Sequence, residues 1–223
     1  LLEDGGASGV NANQSDNTAN EAGAVYVFVR AGEVWSQQAY LKAANPDIDD
    51  MFGHSVALSG DTLVVGAHLE DSSATGVNGS SSDNGALNAG AAYVFVRNGA
   101  TWSQQAYLKP ANTDAGDRFG WAVAVSGDTI VVGAPSEASS TAMVNGDAGD
   151  NSVVNAGAAY VFVRNGTSWI QETDLKPLNT GIFDCFGTSV SVSANTVVVG
   201  SPDEASNATG VNGDCLLYTS DAA

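Results

Sequence analysis

Apolar residues along this chain fall in short runs rich in Val, Ile, Tyr and Phe, with alternating character and turn residues between them. That is the pattern of half-buried β-strands, and no stretch carries a helical period. One unit reads as a first strand WAVAV at 121–125, a turn at Gly127-Asp128, and a second strand TIVVGAP at 129–135. A long polar loop follows, then a third strand AAYVFVR at 158–164, a turn at Asn165-Gly166, and a fourth strand ending in Leu175-Lys176. Gly-Asp and Asn-Gly between strands predict two-residue hairpins, where a positive φ is needed and Gly or Asn supplies it.

The unit recurs. AGAVYVFVR at 22–30 returns as AGAAYVFVR at 89–97 and at 156–164, a step of 67 residues each time. The same step carries Phe52-Gly53 to Phe119-Gly120 to Phe186-Gly187, Trp35 to Trp102 to Trp169, and Glu3 to Glu70 to Glu137 to Glu204. Removing a loop of about 20 residues leaves roughly the 40–45 that a four-stranded propeller blade requires. Strands such as YVFVR and VVVGSP are apolar on both faces, as expected of a blade stacked between two others. The predicted fold class is therefore all-β: an incomplete β-propeller of four-stranded antiparallel blades with a 67-residue repeat. A β-solenoid is the alternative, disfavoured by the repeat length and the hairpins.

Pairing Phe-Gly with a Gly-Ala-Pro about a dozen residues later, the repeat resembles the FG-GAP repeat of integrin α subunits and bacterial surface proteins. It stands here as Phe119-Gly120 with Gly133-Ala134-Pro135, as Phe52-Gly53 with Gly66-Ala67-His68, and as Phe186-Gly187 with Gly200-Ser201-Pro202. The resemblance implies a seven-bladed extracellular propeller for binding or adhesion, in which some blades hold Ca²⁺ in an Asp-rich loop between first and second strands. This chain departs there, because that connection has shrunk to Ser59-Gly60-Asp61, Ser126-Gly127-Asp128 and Ser193-Ala194-Asn195. One carboxylate cannot supply the roughly six to eight oxygens Ca²⁺ takes.

The likeness covers residues 1–214, read as strands three and four of one blade, two full four-strand units, and strands one and two of another. Residues 215–223, CLLYTSDAA, break the repeat and read as a foreign tail translated from a sequencing-library adaptor. With no initiator Met, the N-terminus is expected to be internal to a longer protein. Cys185 and Cys215 show no metal-ligand spacing; a disulfide between them loses its basis because Cys185 aligns with Met51 and Arg118 and Cys215 lies in the tail.

Charge adds a direction. Seven Lys plus Arg against 25 Asp plus Glu give a net charge of −18, which disfavours nucleic acid and anionic lipid and favours cations or basic surfaces. No apolar run approaches the roughly 18–20 residues of a membrane-spanning helix, and no leader opens the chain, so membrane insertion is not expected. In an up-and-down meander the tight turns share one rim and the long loops and blade-to-blade links share the other. The long segments 3–23, 43–51, 70–90, 110–118, 137–157, 178–185 and 203–214 hold 19 of the 25 carboxylates, with Arg118 the only basic residue among them. Arg30, Arg97 and Arg164 end the third strands at the opposite rim. An acidic loop face can engage a protein or carbohydrate ligand; it can equally serve solubility, with Asp and Asn as turn formers.

The best calcium candidate is Asn145-Gly146-Asp147-Ala148-Gly149-Asp150-Asn151, echoed by Asn78 with Asp83-Asn84 and by Asn11 with Asp16-Asn17, although its spacing matches no calcium loop. Gly53-His54-Ser55-Val56-Ala57 lacks the last Gly of a nucleophile elbow, and its repeat partners place Gly53 in the Phe-Gly motif. His54 and His68 replace Trp or Thr and Pro elsewhere and read as ordinary substitutions. Asp50, Asp117 and Asp184 recur two residues before each Phe-Gly phenylalanine and read as turn formers. Sequons at Asn13, Asn78, Asn165 and Asn207 are common by chance in such a chain. No residue is assigned as catalytic, cofactor-binding or metal-ligating. The expectation is a non-catalytic extracellular or cell-surface binding module, with an accessory domain of a secreted enzyme and a structural spacer as rivals.

Overall fold

The computed structural model describes residues 3–142, 144, 149–206 and 209–211. The four residues 145–148 of the calcium candidate, the sequon at Asn207 and the whole 215–223 tail lie outside them. Among the described residues twelve strands in chain order are β1 (Val25–Ala31), β2 (Val34–Leu41), β3 (Ser55–Ser59), β4 (Thr62–Ala67), β5 (Ala91–Asn98), β6 (Thr101–Leu108), β7 (Ala122–Ser126), β8 (Thr129–Ala134), β9 (Ala158–Asn165), β10 (Ser168–Leu175), β11 (Ser189–Ser193) and β12 (Thr196–Gly200). They form antiparallel meanders: a pair β1-β2, full sheets β3-β4-β5-β6 and β7-β8-β9-β10, and a pair β11-β12. The described residues thus form propeller-like blades of the expected class, stacked without closing into a ring.

The alternating pattern does the stacking. In β4, Val64 enters the core between the two full sheets, while Leu63 and Val65 enter the core facing β1-β2. In β8, Ile130 and Val132 join the first of these cores and Val131 turns to the core shared with β11-β12. Each central strand is therefore apolar on both faces because it has a neighbour on both. The first strands β3, β7 and β11 lie side by side. There Gly66 of one sheet meets Gly120 of the next so closely that an added Cβ would fall 2.0 Å from the Gly120 carbonyl oxygen. That contact explains why the Phe-Gly and Gly-Ala-Pro motifs recur together: each supplies one side of it.

A bulge recurs at one place in each third-to-fourth strand pairing, between Val27/Phe28, Val94/Phe95 and Gln171/Thr173. The residue left unpaired is Gln38, Gln105 or Glu172. A bulge re-aims the side chain it frees, and here Gln38 and Gln105 accept hydrogen bonds at 2.9 Å from the indole Nε1–H of Trp102 and Trp169 in the following sheet. Those two indoles are 3% and 2% exposed, whereas Trp35 on β2 is 65% exposed.

The hairpin loops run Gly60-Asp61, Gly127-Asp128 and Gly166-Thr167, with the positive φ on the first loop residue. The last differs from the expected Asn165-Gly166 by one residue: Asn165 completes β9, and only Gly166 takes the positive φ of 65°. The β11-β12 turn has Ala194 at the position of Gly60 and Gly127, with φ of 49°. An L-residue with a Cβ is strained there by about 1–2 kcal/mol. Ala194→Gly is expected to raise stability by about 1 kcal/mol despite the added unfolded-state entropy, read as a higher urea midpoint; an unchanged or lower midpoint would show the turn is unstrained.

Candidate functional site

The loop rim is woven rather than loose. Long loops of one sheet bond to the link arriving from the preceding one: Asn84 Nδ2 donates to Asp47 at 2.7 Å, and Asn151 Nδ2 to Asp114 at 3.0 Å. Backbone bonds also tie each link to the loop of the sheet it leaves, from Asp49 N–H to Asn20, Arg118 N–H to Asn88 and Cys185 N–H to Asn155. Beneath the rim lies a buried polar network that repeats with the chain. Lys109, at the end of β6, is wholly buried and donates to Glu70 Oε2 at 3.1 Å and to the Gly90 carbonyl at 2.7 Å. Glu70 also accepts from Tyr107 Oη, the Ser72 backbone N–H and Asn45 Nδ2, the last belonging to the link from the preceding sheet. Asn45 in turn accepts from Tyr93 Oη at 2.9 Å. Lys176 with Glu137 at 2.6 Å and Lys42 with Glu3 at 2.8 Å repeat the pair. Burial pulls the Lys109 ammonium below its ordinary value against the upward pull of Glu70.

Asp50, Asp117 and Asp184 are buried too, each accepting a backbone N–H three residues upstream, from Asp47, Asp114 and Gly181. They cap the link that precedes each Phe-Gly. Burial pushes the Asp50 and Asp117 carboxyls up to about 7. The acidic face is thus thinner than the carboxylate census implied: Glu70, Glu137, Asp50, Asp117 and Asp184 are interior. The lysines paired with Glu70 and Glu137 lie 39 residues away, and the local N–H partners of the three aspartates leave no mark in composition, so a census counts all five as surface charge. Carboxylates that do reach solvent on this rim include Asp47, Asp49, Asp71 and Asp203.

Asp150 of the calcium candidate accepts from the backbone N–H and Oγ of both Ser140 and Ser152. Its counterpart Asp83 accepts from Ser73 N–H and Oγ, Gly85 N–H and Ser72 Oγ. Donors from the loop itself so hold both carboxylates as staples that fold the long loop back. Asn78 and Asn11 accept from the Tyr107 and Tyr40 backbone N–H groups, pinning the same loops to the fourth strands. Among the described residues no three His, Cys, Asp or Glu side chains converge to hold a metal. At the opposite rim Arg97 pairs with Asp61 at 2.7 Å and Arg164 with Asp128 at 3.2 Å, each guanidinium lying over the tryptophan of its own sheet.

The structure also unites residues that the sequence kept apart. His54, preceding β3, and His68, following β4, stack with ring centroids 3.9 Å apart. Trp121 of the next sheet contacts them at 5.0 and 4.9 Å, and the Arg118 guanidinium lies 5.7 Å from the Trp121 ring. His68 is 5% exposed, and its Nδ1 is buried without a partner. Burial, then His54 and Arg118, holds its imidazole down to about 4, so it is neutral at physiological pH. Only the recurrence of both substitutions in one seam could have flagged this cluster, and that seam is visible only after stacking.

Antiparallel four-stranded sheets, stacked on paired Phe-Gly and Gly-Ala-Pro contacts at a 67-residue step, define a repeat protein of the propeller-blade class. The FG-GAP repeat family model matches residues 35–95 and 102–162, and the chain belongs to that family. No curated protein matches the chain. FG-GAP repeats suggest a propeller-type module for binding or adhesion.

Two predictions test the buried polar groups. Lys109→Met leaves the Glu70 carboxylate buried without its cation and is expected to cost about 3–5 kcal/mol. The double variant Lys109→Met/Glu70→Gln should recover much of that in urea unfolding; a single-variant loss below about 1 kcal/mol would show the pair is not structural. For Asp117 the folded pKa, about 7, lies above the unfolded one, so its stabilising contribution is full at low pH and is lost as pH rises through 7. Asp117→Asn, neutral throughout and able to keep the Asp114 N–H bond, should therefore exceed the wild type at pH 8 by about 2–4 kcal/mol and match it near pH 4. A gap that widens on acidification would reverse the assignment.

Proposed function

We propose that the chain is a non-catalytic binding module of an extracellular or cell-surface protein, whose acidic loop rim engages a basic protein surface. The observation that supports this most is the asymmetry of the rims. Asp47, Asp49, Asp71 and Asp203 are solvent-accessible on a rim whose loops are cross-tied to the blade links, while Arg97 and Arg164 are paired at the far rim. Loops held on a rigid β scaffold are the usual place for recognition, and an excess of one charge sign there raises the encounter rate with an opposite partner. No helix among the described residues is long and apolar enough to cross a membrane.

The expected result is binding of Lys-rich peptides that weakens steeply between low and high salt. It should fall further in Asp49→Asn/Asp71→Asn and be unaffected by Asp61→Asn or Asp128→Asn on the opposite rim. Binding that ignores salt, or equal losses from both rims, would overturn the rim assignment. A glycan array run alongside decides whether a carbohydrate takes the protein's place.

A further inference from the structure

Aromatic side chains that are buried in both full sheets lie bare on the β1-β2 pair. Tyr26, Phe28 and Trp35 are 44%, 54% and 65% exposed, whereas Tyr93, Phe95 and Trp102 and, one step on, Tyr160, Phe162 and Trp169 are at most 3% exposed. Val56 and Leu58 of β3 are exposed as well, although their counterparts Val123 and Val125 on β7 pack against the core between the full sheets. At the other end of the stack Val198 of β12 is exposed, where its counterparts Val64 and Val131 are wholly buried. Among the described residues β1 pairs only with β2 and β12 only with β11, so each leaves one edge free. Beside β12 a cleft of about 440 Å³ opens between the last full sheet and the β11-β12 pair, with Thr129, Glu172, Leu175 and Val197 in its walls. Its place is the one that Trp169 fills one sheet earlier. There Gln105, the counterpart of Glu172, accepts from the Trp169 indole, and Thr62, the counterpart of Thr129, accepts from Arg164.

We infer that the β1-β2 hairpin of a second copy of this chain docks on β12, so that β11-β12 of one molecule and β1-β2 of the next complete a four-stranded blade between them. Carrying the register of β4 on β5 and of β8 on β9 along the repeat sets Val197 opposite Phe28, Val198 opposite Val27 and Val199 opposite Tyr26 of the second copy. Trp35 of the second copy then enters the cleft, where Glu172 accepts its indole N–H, and Arg30 reaches Thr129. On the other face β11 and β12 cover Val56 and Leu58 of the second copy, because first strands lie side by side throughout the stack. A free strand edge is a template for another strand, and strand addition gains affinity from main-chain bonds and specificity from pockets for side chains. One segment has to give way. By the same 67-residue step Glu3 of the second copy takes the place of Glu204 and accepts from Asn179 in its stead, so that bond is exchanged rather than lost as the segment after Gly200 moves aside. A second copy fits better than an unrelated chain, since one hairpin brings the strand edge, the indole and the guanidinium at the spacing already used between sheets of this stack. The joint is head-to-tail and leaves each pair of copies with two free ends, so assembly continues beyond two chains. It does not depend on the acidic rim.

Sedimentation velocity of the whole chain reads the outcome. The average mass should rise above that of one chain as concentration increases, and rise further with added salt, which screens the repulsion between two acidic copies. Binding of basic peptides to the rim has the opposite salt dependence, so either reading can fail without the other. Phe28→Lys and Val198→Lys alter side chains that are exposed in the single chain, and each should hold the mass at one chain with the circular dichroism unchanged. Trp35→Ala should weaken association about thirty-fold. An equimolar mixture of Phe28→Lys and Val198→Lys should give a two-chain species and nothing larger, since each variant keeps one intact end and the two intact ends are complementary. If Val198→Lys disturbs the β11-β12 pair, Glu172→Lys on β10 takes its place in the mixture. A wild type that keeps the mass of one chain at every concentration overturns the inference and leaves these ends to another segment or another partner. So does a mixture that stays at one chain, or one that grows past two.

Discussion

Burying Lys109 and Lys176 commits each ammonium to a glutamate that sits at the start of the loop between second and third strands of the same sheet. A charge removed from water is tolerated only when it is paired and hydrogen-bonded on every side. The glutamate therefore gathers further donors: a tyrosine hydroxyl or a loop N–H from its own sheet, and an asparagine from the link of the sheet before. Loop, fourth strand and neighbouring link are fixed to one another by that single requirement. The apolar seams hold the sheets face to face, but they are non-directional and would tolerate sliding. The asparagine that reaches each buried glutamate from the preceding link, with the glycine contacts at the inner strands, sets where the sliding stops.

The same requirement explains why the long loops are ordered enough to carry a surface. A loop whose base is tied to a buried carboxylate, and whose middle is folded back on Asp83, is held at several points along its length. Exposed carboxylates then stand at fixed spacing, while Asp50 and Asp117 act below them as neutral-leaning caps. Rim charge and rim rigidity overlap at Asp47 and Asp71, which reach solvent and also accept loop hydrogen bonds, whereas Asp50 and Asp117 contribute to rigidity alone.

Period-two alternation, which depends on near neighbours, and a constant step of 67 residues made the sheets legible in the sequence. The hairpin falls at Gly166-Thr167, one position past the expected Asn165-Gly166, because Asn165 is as good a turn former as its neighbour and only the pairing register separates them. Glu70 and Glu137 were visible as repeating residues, yet their burial was not. It depends on Lys109 and Lys176, 39 residues away. His54 and His68 were visible as departures from the repeat, but the seam that joins them to Trp121 exists only after two units stack. What sequence alone hides here is the contact between units.

The bulged glutamines give the array a direction. Gln38 serves Trp102 and Gln105 serves Trp169, always from one sheet to the following one. Every unit consequently offers an acceptor on its leading side and a donor on its trailing side, like a row of identical couplings. Copying a sixty-seven-residue stretch in frame would insert a unit whose two sides already match those around it. Gene duplication can then lengthen such an array without inventing a new interface, and selection is left free to vary the rim of each copy separately.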